Sequence, residues 1–256
     1  MKFGILGAMP QEVALMGRSM DVHRKVEAGL RTFYEGTWGG QDVVLALSRV
    51  GKISAAVTTL LMLERFGVTH IVFSGVAGAV DPRLRVGDVA IADKLIQHDM
   101  NASPLFPRYE IPLLGKTEFG AALSEPAFVA ARSYLDSQFE TDVPMNRRHA
   151  FGMNRPEVYR GLIVSGDQFI ADTATTSGLR AALPEALCTE MEGAAVAQVC
   201  HEMGSVPFAV IRVISDQADH AAAVDFQRFI DHVAEHLTGG IVRILLESFA
   251  GKSGEK

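Results

Sequence analysis

Three carboxylates and one glycine-rich run stand where this chain could do chemistry, each at a point where an apolar run gives way to a loop. Glu12 follows the strand-like run 2–6, Glu192 closes Glu190-Met191-Glu192 ahead of an Ala/Val-rich stretch, and Asp216 ends the apolar run 207–214 through Ser215. Gly75-Val76-Ala77-Gly78 closes another apolar run, and its small residues let backbone approach a neighbour or a ligand closely. Two kinds of carboxylate chemistry are open to such positions. Burial disfavours the charged form, so an acid delivered from a buried strand, as Asp216 is, can hold a proton and donate it. An acid at a helix start is kept ionised by the partial positive charge there, which suits Glu192 to accept hydrogen bonds from sugar hydroxyls if a helix opens at Gly193. Ordinary readings stand beside these: Glu12 and Glu192 as first-turn helix acids, Asp216 as a helix cap or the partner of Arg212.

Other motifs carry less. Gly51-Lys52 resembles the end of a phosphate-binding loop, but Ala46 stands where that loop needs glycine and Ile53 where it needs Ser or Thr. His232-Val233-Ala234-Glu235-His236 fits an H-x-x-E-H zinc pattern, yet Phe229, Val233 and Leu237 make an apolar stripe there, so solvated histidines and no metal are expected. Cys200 and His201 are neighbours on diverging helix faces, a buried thiol beside a surface imidazole. Only Cys188 and Cys200 are present, so neither a disulfide framework nor a cysteine zinc site is expected, and a reducing cytoplasm is the expected location.

The elements that must position these residues alternate. Strands are expected over 2–6, 31–38, 42–48, 69–74, 88–97, 161–165 and 206–215, with Gly39-Gly40-Gln41 turning a hairpin. Helices are expected over 10–20, 51–66, 126–139, 193–203 and, as one long amphipathic rod, 226–249. Pro104, Pro107 and Pro112 make 100–115 an irregular extended segment. This order, without a linker, predicts one α/β domain over 1–250, a three-layer α/β/α arrangement around a central mixed sheet, and a polar tail at 251–256. Ligands in such sheets gather at the carboxyl ends of strands, so the expected pocket is acidic and lined by small residues.

Composition excludes several partners. With 256 residues, 48% of them apolar, the chain can bury an ordinary core. Its 24 Lys and Arg against 30 Asp and Glu give a net charge of −6, without the basic clustering that a general nucleic-acid binder needs. The one dense basic spot, Asn146-Arg147-Arg148-His149, is read as a solvated loop. No apolar run reaches the roughly 18 to 20 residues that cross a bilayer, so no membrane partner is expected.

Taken in order, Met1 to Glu12 (MKFGILGAMPQE), Ser48-Arg49-Val50-Gly51-Lys52, Gly75-Val76-Ala77-Gly78, Val86-Gly87-Asp88, His98-Asp99, GLIVSGDQFI over 161–170, Glu190-Met191-Glu192-Gly193-Ala194 and Val213-Ile214-Ser215-Asp216 make a specific set. That set resembles the 5′-methylthioadenosine/S-adenosylhomocysteine nucleosidases, within the wider purine nucleoside phosphorylase family, over nearly the whole chain. The resemblance implies a nucleoside phosphorylase-like fold and hydrolysis of the bond between adenine and a 5′-thio-substituted ribose. It implies that Asp216 protonates purine nitrogen 7, that Glu12 activates water, and that Glu192 grips the ribose hydroxyls, with Glu190 beside it and Met191 on the sugar face. Arg212 would help hold Glu192 and the water network. Phe169 would stack on adenine, the backbone of Ile170 would read its amino edge, and Val76, Ala77 and Gly78 would line the same site. Met9, Val50, Pro112 and Phe226 match the apolar wall around the 5′-thio group. Ala102 and Leu105 sit where relatives carry larger residues borrowed from a partner subunit, which implies a homodimer with 100–115 crossing between subunits. No metal or organic cofactor is implied.

Three departures from the family pattern stand out. Val76 replaces a Ser common there, Ala102 is small enough to suggest a roomier 5′ end, and 113–160 is longer than the compact bacterial pattern. Rival functions remain open: a phosphorolytic relative, a futalosine-type nucleosidase, and a non-catalytic nucleoside-binding protein. Glu12 would repel phosphate unless Arg49 and Arg212 compensated, and a mere binder has no need of Glu12, Glu192 and Asp216 together, so hydrolysis is favoured.

Overall fold

The computed structural model describes residues 1–153 and 155–250; the tail 251–256 lies outside the described residues. Its strands are β1 (Lys2–Gly7), β2 (Asp21–Ala28), β3 (Arg31–Trp38), β4 (Gln41–Leu47), β5 (His70–Ala79), β6 (Val89–Gln97), β7 (Phe119–Gly120), β8 (Val158–Ser165), β9 (Ala186–Glu190) and β10 (Phe208–Asp216). Its helices are α1 (Pro10–Ser19), α2 (Lys52–Phe66), α3 (Ser124–Ser137), α4 (Phe139–Asp142), α5 (Met145–Ala150), α6 (Thr173–Ala182), α7 (Gly193–Glu202), α8 (Ala222–Phe229) and α9 (Glu235–Ala250).

Strand parity sorts the apolar residues into two cores. Phe3 and Ile5 of β1, Val43 and Leu45 of β4, Val72 of β5 and Ala209, Ile211 and Val213 of β10 face one way. There they meet Met16 of α1, Ala127 and Ala131 of α3 and Leu237, Ile241 and Leu245 of α9. Leu6, Val44, Ala46, Ile71, Phe73, Phe208 and Val210 face the other way, against Ala55 and Met62 of α2 and Ala194, Val196 and Cys200 of α7. The result is the expected α/β/α layering with a mixed sheet. Among the described residues no helix is long and apolar enough to cross a membrane.

Half of the sheet closes on itself. The strand order runs β10-β6-β8-β9-β5-β1-β4-β3-β2, and β10 also pairs β5, so five strands form a ring from which β1, β4, β3 and β2 extend. Within the ring β10 runs parallel to β5 and antiparallel to β6. The carboxyl ends of β1, β5, β9 and β10 thereby lie together, where Glu12, Val76, Glu190 and Asp216 converge.

Several elements differ from the sequence expectation. Gly75-Val76-Ala77-Gly78 does not leave the sheet: β5 runs on to Ala79, with Gly78 still paired to Thr189 and to Asp216. Asn146 to His149 belong to α5, where Arg148 pairs with Glu140 and lies over Phe139, so this basic spot is a short helix and not a loop, with Asn146 and His149 still exposed. The terminal helix is not one regular rod, since a π-helical turn at Ile230–Ala234 separates α8 from α9. The unassigned stretch 113–160 supplies β7 and α3 to α5, and α3 packs closely on α9 because Gly240 has no side chain: a Cβ there would lie 2.1 Å from Tyr134 Cε2.

Candidate active site

Glu12 is fixed from both sides. As the third residue of α1 it reaches back so that Oε2 accepts the Ala8 and Met9 N–H groups at 2.7 and 2.9 Å, while Oε1 accepts the Val76 N–H from β5 at 3.0 Å. A carboxylate offers about four lone-pair directions, so three are taken and one remains. Burial raises its pKa, against the opposing pull of the Arg212 charge and the three N–H donors. The smallness of Gly75 is a condition of this approach, because a Cβ there would lie 2.6 Å from Glu12 Oε1. Val76 contributes its backbone N–H to this carboxylate, a donor that does not depend on the side chain.

Glu190 and Glu192 exchange the roles that helix geometry suggested. Glu192 caps α7, but the carboxylate that receives the helix-start N–H groups belongs to Glu190, whose Oε2 accepts from Glu192 N at 3.1 Å and from Gly193 N at 2.8 Å. Ser165 Oγ donates to Glu190 Oε1, and Arg212 Nη2 donates to Glu190 Oε2 at 2.6 Å in a fully buried ion pair. Arg212 therefore holds Glu190 and not Glu192, as strand parity requires: it shares a face of β10 with Phe208 and Val210, under α7, where its guanidinium stacks 4.1 Å from Phe73. Among the described residues Glu192 Oε1 accepts only the Gly51 N–H at the start of α2, at 2.7 Å. Burial, reinforced by the neighbouring Glu190 charge, pushes its pKa up to about 8. Desolvation and this like charge oppose the ionised form that a helix start would favour.

Asp216 closes β10 beyond a bulge that shifts its register on β5. Its Oδ1 accepts the Ala218 N–H at 2.9 Å and its Oδ2 the Ser215 hydroxyl at 2.7 Å. Burial raises its pKa against those two bonds. Opposite stands Phe169, half-exposed, edge-on to Phe226 with ring centroids 5.6 Å apart.

These groups share one cavity of about 330 Å³, a size suited to a small-molecule ligand. Of the residues singled out in the sequence, Met9, Glu12, Val50, Val76, Ala77, Gly78, Phe169, Ile170, Glu190, Met191, Glu192, Asp216 and Phe226 line it. Arg212 does not reach its wall, acting instead from beneath Glu190. Nor do Ala102, Leu105 and Pro112, so the wall expected from Met9, Val50, Pro112 and Phe226 lacks Pro112 within a single chain. Ala8, Gln168, Thr189 and Ser215 line the cavity without having been singled out as binding residues. Each is the immediate neighbour of a residue that was, and Ala8, Gln168 and Ser215 also lie inside the longer motifs of the sequence. Ser165, between Glu190 and the Ala194 N–H at 2.7 Å, was visible only inside a longer motif.

No Lys, Arg or His lines the cavity among the described residues. The same residues contain no group of three or more His, Cys, Asp or Glu able to hold a metal ion, and His232 and His236 form no such group.

The sequence model of the phosphorylase superfamily matches residues 2–246. A 5′-methylthioadenosine/S-adenosylhomocysteine nucleosidase of Shewanella denitrificans is 35% identical over 248 residues, covering 96% of this chain and 100% of that one. The crystal structure of the nucleosidase of the same name from Neisseria meningitidis, in complex with methylthio-immucillin-A, superposes with a TM-score of 0.84 at 31% identity, over 96% of this chain and 99% of that one. A futalosine hydrolase of Helicobacter pylori superposes at 0.79, with 31% identity over 95% of this chain and 96% of that one. With a matched model over almost its whole length and relatives of this similarity, the chain belongs to the phosphorylase superfamily, among its 5′-methylthioadenosine/S-adenosylhomocysteine nucleosidases.

Proposed function

We propose that the protein hydrolyses the N-glycosidic bond of 5′-methylthioadenosine, S-adenosylhomocysteine and related 5′-substituted adenosines, releasing adenine and the 5′-substituted ribose. The observation that carries this is the convergence of Glu12, Glu192 and Asp216 with Phe169 in one cavity lined by no cation among the described residues. Breaking this bond builds positive charge on the sugar and negative charge on the departing purine, so groups that meet those charges lower the barrier. Asp216, in which burial favours the protonated form, protonates purine nitrogen 7 and turns adenine into a neutral leaving group. Glu12 accepts the proton of the attacking water in its one unused lone-pair direction, and its raised pKa makes it the stronger base. Glu192 holds the ribose hydroxyls and stands beside the sugar where positive charge builds. Phe169 stacks on the base, with Val76, Ala77, Gly78 and Ile170 around it. Met191 packs on the sugar, and Met9, Val50 and Phe226 enclose the 5′ group.

Water is favoured over phosphate as the nucleophile. A phosphate dianion would enter beside Glu12 while Arg212 is already neutralised by Glu190, and Arg49 turns away to donate to the Leu30 carbonyl. Adenine release from 5′-methylthioadenosine, followed with and without phosphate, tests this: free 5-methylthioribose in both reactions supports hydrolysis, and strict dependence on phosphate overturns it. Turnover of inosine-based substrates in preference to adenosine-based ones would favour the futalosine-type activity.

A homodimer with 100–115 crossing into the partner's site completes this proposal. It is supported by exposed Ile53, Val57 and Leu60 along one face of α2, and by Leu105, which is 84% exposed while the cavity's 5′ wall is incomplete in one chain. Two free, buried cysteines suit a cytoplasmic location, and residues 1–250 are proposed as one domain.

A further inference from the structure

One wall residue of the cavity carries a hydroxyl that the fold leaves unpaired. Thr189 of β9 lines the cavity and is 6% exposed, and its Oγ1 is buried without a hydrogen-bond partner among the described residues. Other buried side-chain atoms lack partners too, Ser74 Oγ and His98 Nε2 among them, but of these only Thr189 Oγ1 belongs to a residue of this wall. Buried hydroxyls in folded proteins have partners, so an unpaired one on a ligand cavity points to a partner that the ligand brings.

The sheet sets this hydroxyl in relation to Asp216. Gly78 of β5 pairs with Thr189 on one side and with Asp216 on the other. Residues opposed in a ladder project on the same face, so the three stand in one row across the sheet, with Thr189 and Asp216 about 10 Å apart, two strand spacings. Cys188 and Glu190, of opposite parity, turn to the α7 side, where Cys188 packs and Glu190 takes the Gly193 N–H. Gly78 has no side chain to fill the gap; a Cβ there would lie 2.9 Å from Asp216 Oδ1. The row is therefore an open floor between a carboxyl group and a hydroxyl, and a flat heterocycle over Gly78 meets one at each edge.

Adenine has edges to match. In the reading proposed above, nitrogen 7 faces Asp216, nitrogen 9 carries the ribose, and Ile170 reads the amino edge with nitrogen 1 beside it. Nitrogen 3 is the remaining acceptor. It flanks nitrogen 9 on the side away from nitrogen 7, as Thr189 flanks Gly78 on the side away from Asp216. We propose that Thr189 is a specificity-determining residue whose Oγ1–H donates to purine nitrogen 3. The inference rests on the hydrolase reading and adds to it a polar contact on the base's remaining edge. As the N-glycosidic bond breaks, its electrons move onto the purine, nitrogen 3 becomes a better acceptor, and the contact strengthens in the transition state.

The test crosses enzyme with substrate: the unmodified protein, Thr189→Val, which keeps the shape and removes the hydroxyl, and Thr189→Ser, which keeps the hydroxyl, each with 5′-methylthioadenosine and its 3-deaza analogue. Thr189→Val is expected to lower kcat/KM for 5′-methylthioadenosine about tenfold, the worth of one hydrogen bond, with part of the loss in kcat, and Thr189→Ser to retain most of the activity. On the 3-deaza analogue Thr189→Val is expected to change kcat/KM by less than about twofold, because the acceptor is already gone, whereas a merely structural role would lower both substrates alike. If that analogue binds without turnover, its inhibition constant takes the place of kcat/KM. An equal loss on both substrates, or no loss on either, overturns the proposal. If the unmodified protein does not hydrolyse 5′-methylthioadenosine, the hydrolase reading fails by itself, and the Kd values of adenine and 3-deazaadenine by calorimetry across the same three proteins decide the Thr189 contact by the same pattern.

Discussion

Three carboxyl groups in one cavity are raised by burial, and the direction of each shift has a measurable sign. Glu12 must be ionised to accept a proton, so kcat/KM falls as pH drops through its raised pKa; Asp216 must be protonated to give one, so kcat/KM falls as pH rises through its own. A bell-shaped profile is expected, its acid limb lying above the ordinary carboxylate range. Asp216→Asn is expected to lower kcat by about a hundredfold or more while calorimetric adenine affinity changes only a few-fold, because the amide still accepts the Ala218 N–H. Glu192 links function to stability. Its folded pKa, raised to about 8 from an ordinary 4.5, means that the unfolded chain gives up this proton first, so stability is lost as pH rises between those values. Glu192→Gln removes that slope: its Tm should exceed that of the unmodified protein at pH 8 and match it near pH 4.5, while kcat/KM collapses. Glu12, Glu192 and Asp216 were legible as site candidates from type and position alone. Which acid the helix start serves was not, since Ser165, Arg212 and the Gly193 N–H reach Glu190 across the fold.

At the scale of elements, apolar patterning made most strands and helices legible, and its failures have local causes. β2 reads DVHRKVEA and is almost wholly exposed, so it has no buried alternation to betray it. β9 is only five residues long, and α6 is rich in Thr, a weak helix former, held at its start by Asp172 accepting the Thr175 N–H. The glycine run in β5 reads as a strand exit because small residues in a strand resemble a turn; here they admit Glu12 and Asp216. Gly75→Ala is therefore expected to displace Glu12, lowering kcat at least tenfold, and to cost about 1 to 3 kcal/mol by overpacking in urea unfolding. Gly178→Ala offers the contrast: nothing lies within 4 Å of the added methyl in α6, so the same measurement should show a gain of about 0.5 to 1 kcal/mol.

The whole molecule is built so that one strand completes both the sheet and the site. If α2 seals a dimer, Leu60→Glu, which touches nothing in the cavity, should yield monomers by analytical ultracentrifugation at micromolar concentration and lower kcat/KM for 5′-methylthioadenosine several-fold, since each cavity loses its borrowed wall. Dimers of full activity would refute that arrangement. The alternation of elements let the α/β class be read from the sequence; the ring did not follow, because no local pattern records that β10 pairs with β5 and β6 at once. That closure has a consequence for biosynthesis. Until residues 208–216 have left the ribosome, β5 and β6 expose the edges that β10 will join, and Asp216 does not yet exist to confront Glu12. A nascent chain halted before that point carries two open strand edges beside its apolar sequence, an arrangement that invites edge-to-edge association until β10 docks.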